Sequence, residues 1–175
     1  APKEKADPQI LDFLRERSGE SGIVYRTSRA DVEKTAAYLC SKGVKALPYH
    51  AGLPAEVREK HQEMFNRDEI RVIVATIAFG MGIDKSNIRF VVHADMPKSM
   101  EGYYQETGRA GRDGLDSRCL LLYGPGDLAR IRWFIDRMDD EEERGRALGR
   151  LRRMADYASA GVCRRKQLLE YFDEP

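Results

Sequence analysis

Five short apolar runs separated by stretches of helical periodicity constrain this chain more than any other feature. The runs are Gly22–Tyr25, Val44–Leu47, Arg71–Ala75, Arg89–Val92 and Arg118–Leu122. Runs of this length and composition read as strands of a parallel sheet covered on both faces. Between the first two, Val32, Ala36, Leu39 and Cys40 fall at i, i+4, i+7 and i+8, one face of a helix. Val57, His61, Met64 and Phe65 repeat that spacing before the third run. Thr27 or Ser28 is placed to cap the first of these helices, Gly43 to end it, and Pro54 to sit in the first turn of the second. An opening helix over about Pro8–Arg17, carried by Ile10, Leu11 and Leu14, completes a doubly wound α/β pattern that extends to about Tyr123.

The pattern changes after Gly124-Pro125-Gly126. No further strand is evident, and Leu128, Ile131, Ile135 and Met138 mark a helix. An acidic run, Asp139–Glu143, precedes an Arg-rich segment whose apolar face is Leu148, Leu151, Ala155 and Ala158. Gly161 separates it from a last helix with Leu168, Leu169 and Phe172. The expected organisation is an α/β domain over 1–138 and a helical appendage over 139–175.

Composition narrows the classes. A chain of 175 residues with 42% hydrophobic content buries one sizeable core. Lys+Arg 30 against Asp+Glu 29 leaves a net charge of +1, which excludes wholesale coating of nucleic acid but not a local basic patch. No apolar stretch approaches the roughly 18 residues of a spanning helix, so no membrane partner is expected. Ala1–Asp7 lacks the apolar centre of a signal peptide, and three widely spaced cysteines form no disulfide framework. A reducing, cytoplasmic compartment follows. The missing initiator Met and the helical pattern at the end suggest an excised piece.

Two segments carry chemistry. In Gln105-Glu106-Thr107-Gly108-Arg109-Ala110-Gly111-Arg112-Asp113-Gly114, two arginines stand three apart among small residues. Arg offers a rigid donor fork with permanent charge, and Gly lets backbone approach a phosphate closely. The same spacing also describes a tight turn with two solvated arginines. In Val74-Ala75-Thr76-Ile77-Ala78-Phe79-Gly80-Met81-Gly82-Ile83-Asp84, a loop follows the carboxyl end of a buried strand, where open parallel sheets bind ligands. Thr76 supplies a hydroxyl and Asp84 a ribose acceptor, although glycines that merely turn the chain fit equally. Neither a dinucleotide fingerprint nor a phosphate-loop Gly-Lys-Ser is present: Lys85-Ser86 follows Asp84 where Gly is required.

Strand ends at Tyr25-Arg26-Thr27-Ser28-Arg29 and Tyr49-His50-Ala51-Gly52-Leu53 line up hydroxyls, Arg and His for one groove along a nucleic-acid backbone. Helix capping by Thr27 or Ser28 with a solvated Arg29 is the plainer reading. His61 reads as packing and His93 is undecided. Cys40 and Cys119 fit core stripes as small buried hydrophobes. Cys163 has no partner at zinc-like spacing.

Together these segments resemble the second RecA-like domain of superfamily 2 helicases, in the form found in the RecQ family of DNA helicases. Gly22–Tyr25 with Ser28-Arg29 looks like motif IV, Tyr49–Leu53 like the next motif, Val74–Lys85 like motif V and Tyr103–Gly114 like motif VI. Cys163-Arg164-Arg165 through Tyr171-Phe172 resembles the hairpin that opens the RecQ zinc-binding subdomain.

The resemblance implies a three-layer RecA-like sheet and an ATP-dependent 3′ to 5′ DNA helicase that uses ATP and Mg²⁺. A partner N-terminal RecA-like domain would hold most of the nucleotide, so this piece alone is expected to be inactive. It implies that Arg112 is an arginine finger on the γ-phosphate, that Arg109 contacts phosphate or couples the domains, and that Gln105 senses nucleotide. Gly82 and Asp84 would lie near the ribose; Ser28, Arg29, His50 and Thr76 would face single-stranded or partly duplex DNA. Cys163 would be the first of four Zn²⁺ ligands, with the other three beyond Pro175, so the zinc site here is incomplete. A bacterial cytoplasm, with work at the nucleoid, fits the same resemblance. Two alternatives stand beside it: the corresponding half of an RNA helicase, against which the Cys163 ending argues, and a stand-alone nucleic-acid-binding module.

Overall fold

The computed structural model describes residues 1–80, 83 and 85–173. The elements are α1 (Ala6–Arg15), β1 (Ser21–Tyr25), α2 (Arg29–Ser41), β2 (Ala46–Tyr49), α3 (Ala55–Asn66) and β3 (Val72–Ala75). They continue as β4 (Ile88–His93), α4 (Met100–Thr107), β5 (Arg118–Leu121), α5 (Pro125–Ile135), α6 (Glu141–Ser159) and α7 (Arg164–Tyr171). All strand pairs are parallel, in the order β2-β3-β1-β4-β5. Because β1 leads outward to β2 while β4 leads to β5 on the other side, a crevice opens beyond the carboxyl ends of β1 and β4.

The strands alternate their side chains between two cores. Val24, Val74, Phe90 and Val92 pack with Ile10, Leu14, Val32 and Leu39 of α1 and α2. Ile23, Tyr25, Ile73 and Val91 face the other way, onto Phe65 of α3 and Phe79 of the β3–β4 loop. A third cluster joins Met100 and Tyr103 of α4 and Leu121 of β5 to Ile131, Ile135, Leu151, Met154 and Tyr157 of α5 and α6. The helical extension therefore shares its core with the sheet. Among the described residues no helix is long and apolar enough to cross a membrane.

Element ends follow local chemistry. Ser28 caps α2, its Oγ accepting from the Asp31 N–H at 3.0 Å. Gly43, at φ +83°, ends it: its N–H donates to Cys40 O, and the Val44 N–H to Leu39 O, both at 3.0 Å. That turn consumes Gly43 and Val44, so β2 starts at Ala46 rather than at the expected Val44. α3 ends the same way with Asp68 at φ 60°, an aspartate where glycine is usual. Pro54 is the extended N-cap of α3 (φ −52°, ψ 146°), not part of its first turn.

Two core expectations are corrected. Cys40 is exposed, and its thiol donates to Ala46 O at 3.2 Å. Cys119 is exposed because β5 is an edge strand, where apolar alternation alone does not reveal which face is covered.

Candidate nucleotide and nucleic-acid interface

The β3–β4 loop leaves the carboxyl edge of the sheet at Thr76 and returns to its opposite edge at Lys85, next to the start of β4. Thr76 is fixed at one end, its N–H donating to Tyr49 O at 3.1 Å. Lys85 is fixed at the other: its ammonium, only 3% exposed, lies 2.9 Å from an Asp68 carboxylate oxygen. Asp68 also accepts from Ser21 Oγ at 2.8 Å, and the Lys85 hydrogen bond above all holds its carboxyl below the ordinary carboxylate range.

Both arginines of the Arg-Gly segment dock on this loop. α4 is capped by Ser99, whose Oγ accepts from the Gly102 N–H at 3.2 Å, and it delivers Gly108 and Arg109 at its end. Arg109 Nη1 donates to Gly80 O at 2.6 Å, and Arg112 Nη1 to Ile83 O at 3.3 Å. A Cβ on residue 80 would lie 2.7 Å from Arg109 Cζ, so this packing requires glycine there. The Gly111 N–H donates to Ile88 O at 2.9 Å, pinning the turn to the amino end of β4. Arg109 is half-buried and Arg112 is exposed. Gln105 is exposed on α4. Gly82 and Asp84 lie outside the described residues.

Tyr25 braces the same junction, its hydroxyl donating to Phe79 O at 3.1 Å. Burial pushes that hydroxyl's pKa up, against the pull of Arg109. Its ring stacks on His93 at 5.3 Å and 26°, and His93 Nε2 lies 2.5 Å from a Glu106 oxygen. His93 is thus a buried partner of the α4 carboxylate, a role that its sequence position left undecided.

At the carboxyl edge a cavity of about 260 Å³ opens in the crevice, lined by Arg26, Thr27, Thr76, Ile77, Asp95 and Lys98 among others. Asp95 organises it: its carboxylate accepts from the Thr27 N–H at 3.0 Å and Lys3 Nζ at 2.9 Å, with Arg26 at 3.5 Å. Burial raises its pKa, but Arg26, Lys3 and Thr27 together outweigh burial and hold it below the ordinary value. Sequence reading missed Asp95 and left Arg26 unassigned. The available signal was a carboxylate two residues past the end of a buried strand.

The expected groove residues divide. Thr76 lines the cavity, and Arg29 is exposed beside Gly52. The Ser28 hydroxyl is engaged by Asp31, donating to its carboxylate at 2.6 Å. His50 is 7% exposed; its Nε2 meets Glu33 at 2.8 Å, and its Nδ1 accepts from the Gly52 N–H at 3.2 Å.

Cys163 precedes α7 and is exposed. The N–H groups of Lys166 and Arg165 hold its thiol below the usual value, favouring the thiolate that a metal requires. Among the described residues no group of three or more His, Cys, Asp or Glu gathers as a metal site.

Residues 5–114 match the family model for the helicase conserved C-terminal domain, and residues 125–175 match that for RecQ zinc-binding. The ATP-dependent DNA helicase RecQ of Bacillus subtilis is 47% identical over 98% of this chain and 29% of its own length. That of Pasteurella multocida is 47% identical over 98% of the chain and 27% of its length. RecQ-like DNA helicase BLM of Xenopus laevis is 47% identical over 99% of the chain and 13% of its length. The chain thus spans less than a third of these curated relatives. In solved structures, a DEAD box protein from Methanococcus jannaschii superposes at TM-score 0.64 and 24% identity, covering 75% of this chain and 36% of its own. The E. coli DEAD-box protein SrmB gives 0.63 at 21%, covering 77% and 79%. Both share the RecA-like fold of a helicase C-terminal domain.

Proposed function

Because the chain belongs to the helicase conserved C-terminal domain family, in its RecQ branch, we propose that it is the second motor domain of an ATP-dependent, 3′ to 5′ DNA helicase. The observation that carries this reading is the docking of Arg109 and Arg112 on a loop whose far end lines the strand-end cavity. One segment thereby touches both a nucleotide-facing turn and a groove suited to a DNA backbone.

Arg112, exposed and braced by Ile83 O, acts as the arginine finger on ATP bound chiefly by a partner RecA-like domain. It stabilises the charge that builds on the transferring phosphoryl group. Arg109 holds the loop, and Gln105 reads the nucleotide from the exposed side of α4. Gly82 and Asp84 serve the ribose side. Mg²⁺ on the nucleotide, when bound, neutralises the phosphates. Thr76 and Arg29 meet the phosphates of single-stranded DNA, while Ser28 and His50 hold the groove's backbone in shape. Such contacts give affinity without reading sequence. Cys163, its thiol held toward the thiolate, would supply one ligand to Zn²⁺. Cytoplasmic work on DNA is part of the same proposal.

DNA-stimulated ATP turnover of the full-length protein tests this reading. Loss of turnover on Arg112→Ala supports it. Unchanged turnover, or stimulation by RNA but not DNA, overturns it.

A further inference from the structure

α4 is eight residues long and contains Gly102, too short to hold its orientation by helix propensity alone. Its neighbours therefore set its rotation about its own axis. On one side Tyr103 is buried against Tyr157 of α6, rings 5.4 Å apart, and Glu106 is tied to His93. The outer stripe is Glu101, Tyr104, Gln105 and Gly108, at i, i+3, i+4 and i+7.

The end of α7 lies on that outer stripe. The Tyr171 hydroxyl donates to the Glu101 carboxylate, and the Phe172 ring sits 4.7 Å from Tyr104. Tyr171 and Phe172 brace each other edge to face at 5.0 Å and 83°. At its start, α7 is anchored to the end of α6 by Arg164, whose guanidinium donates to Ala158 O at 3.1 Å and also to Tyr157 O. Next along the stripe comes Gln105, and then Gly108, whose carbonyl accepts Arg112 Nε at 3.4 Å. Gln105 and Gly108 therefore share one stripe of α4 with the two residues that α7 grips, and Gly108 leads directly into the turn that holds both arginines.

We propose that Tyr171 and Phe172 form a clasp on Glu101 and Tyr104 that positions Gln105 and the Arg109–Arg112 turn for ATP hydrolysis, coupling the helical extension to the motor's chemistry. The proposal rests on the function given above. The four clasp residues are positioning residues: none is assigned a contact with nucleotide or DNA.

The experiment uses the full-length helicase with saturating single-stranded DNA. Phe172→Ala and Tyr104→Ala are each expected to lower kcat for ATP about tenfold, with KM for ATP and Kd for DNA within about twofold of wild type. The double variant is expected to lose no more than either single one, because both break one contact. Phe172→Tyr is expected to recover most of the loss. Tyr171→Phe, which keeps the ring and removes only the hydroxyl, is expected to lower kcat about threefold and covers the case in which the alanine variants fold poorly. Unchanged kcat in Tyr171→Phe and Phe172→Ala, additive losses in the double variant, or a kcat loss matched by weaker DNA binding overturns the clasp. A wild type without DNA-stimulated turnover overturns the function reading as well, so the two failures are distinguishable.

Discussion

Arg109 lies across Gly80, its Nη1 donating to the glycine carbonyl at 2.6 Å while its guanidinium carbon occupies the space that a side chain at 80 would need. A methyl group there must displace the arginine. In the full-length protein, Gly80→Ala is expected to cut DNA-stimulated ATP turnover by about tenfold or more, while Arg109→Ala combined with it adds little, the mark of a shared interaction. Steady-state turnover of the two single variants and the double variant checks this. Full additivity refutes it.

Arg112 is exposed and, among the described residues, donates to the backbone carbonyls of Gly108 and Ile83, so its removal is expected to leave the fold intact. Arg112→Ala is expected to lower ATP turnover about 10³-fold, about 4 kcal/mol of transition-state stabilisation, with an unchanged melting temperature. Arg112→Lys is expected to rescue only a small part, because an ammonium lacks the guanidinium fork.

Asp68 combines a left-handed backbone with charge opposite a buried ammonium. Asparagine tolerates that backbone but lacks the charge, so Asp68→Asn is expected to cost about 1–3 kcal/mol, at the lower end because Asp68 is partly solvated. Asp68→Ala adds a left-handed penalty of about 1–2 kcal/mol. Urea titrations of the two variants give the order, and alanine no worse than asparagine removes the backbone argument.

Asp68 and Asp95 both have carboxyls held below their ordinary values in the folded state. A depressed folded pKa means that the unfolded chain takes up protons first. The stabilisation is therefore complete above the unfolded value near pH 4 and lost as pH falls through the folded values. Melting temperature is expected to drop on acidification below about pH 5, and Asp95→Asn to flatten that drop. An equally steep acid transition in the variant counts against Asp95 as a contributor.

Much of the architecture was legible because strand burial leaves a strong signature. Four of the five runs fall within about a residue of the strands observed, and the fifth was misplaced only because Gly43 and Val44 are spent closing α2. The two segments singled out for chemistry do meet in the fold, Arg109 on Gly80 and Arg112 on Ile83, although their spacing alone left a turn with solvated arginines equally open. Illegible were Asp95, the Tyr25–His93–Glu106 stack and the Lys85–Asp68 pair. Each joins residues far apart in sequence whose types are ordinary taken singly, and only the parallel sheet brings them together. Cys119 shows the converse failure: an apolar-looking run does not announce that its strand lies at the edge.

The third core cluster runs without interruption from α4 and β5 into α5 and α6. Tyr103, Met154 and Tyr157 are all buried there, Met154 as completely as the central strand residues. Such packing joins the sheet and α5 and α6 through one continuous core. In mechanical terms the extension is rooted in the packing of the sheet rather than trailing on a joint. A rotation of the sheet therefore carries α5 and α6 with it, and α7, tied back onto α4, turns with them.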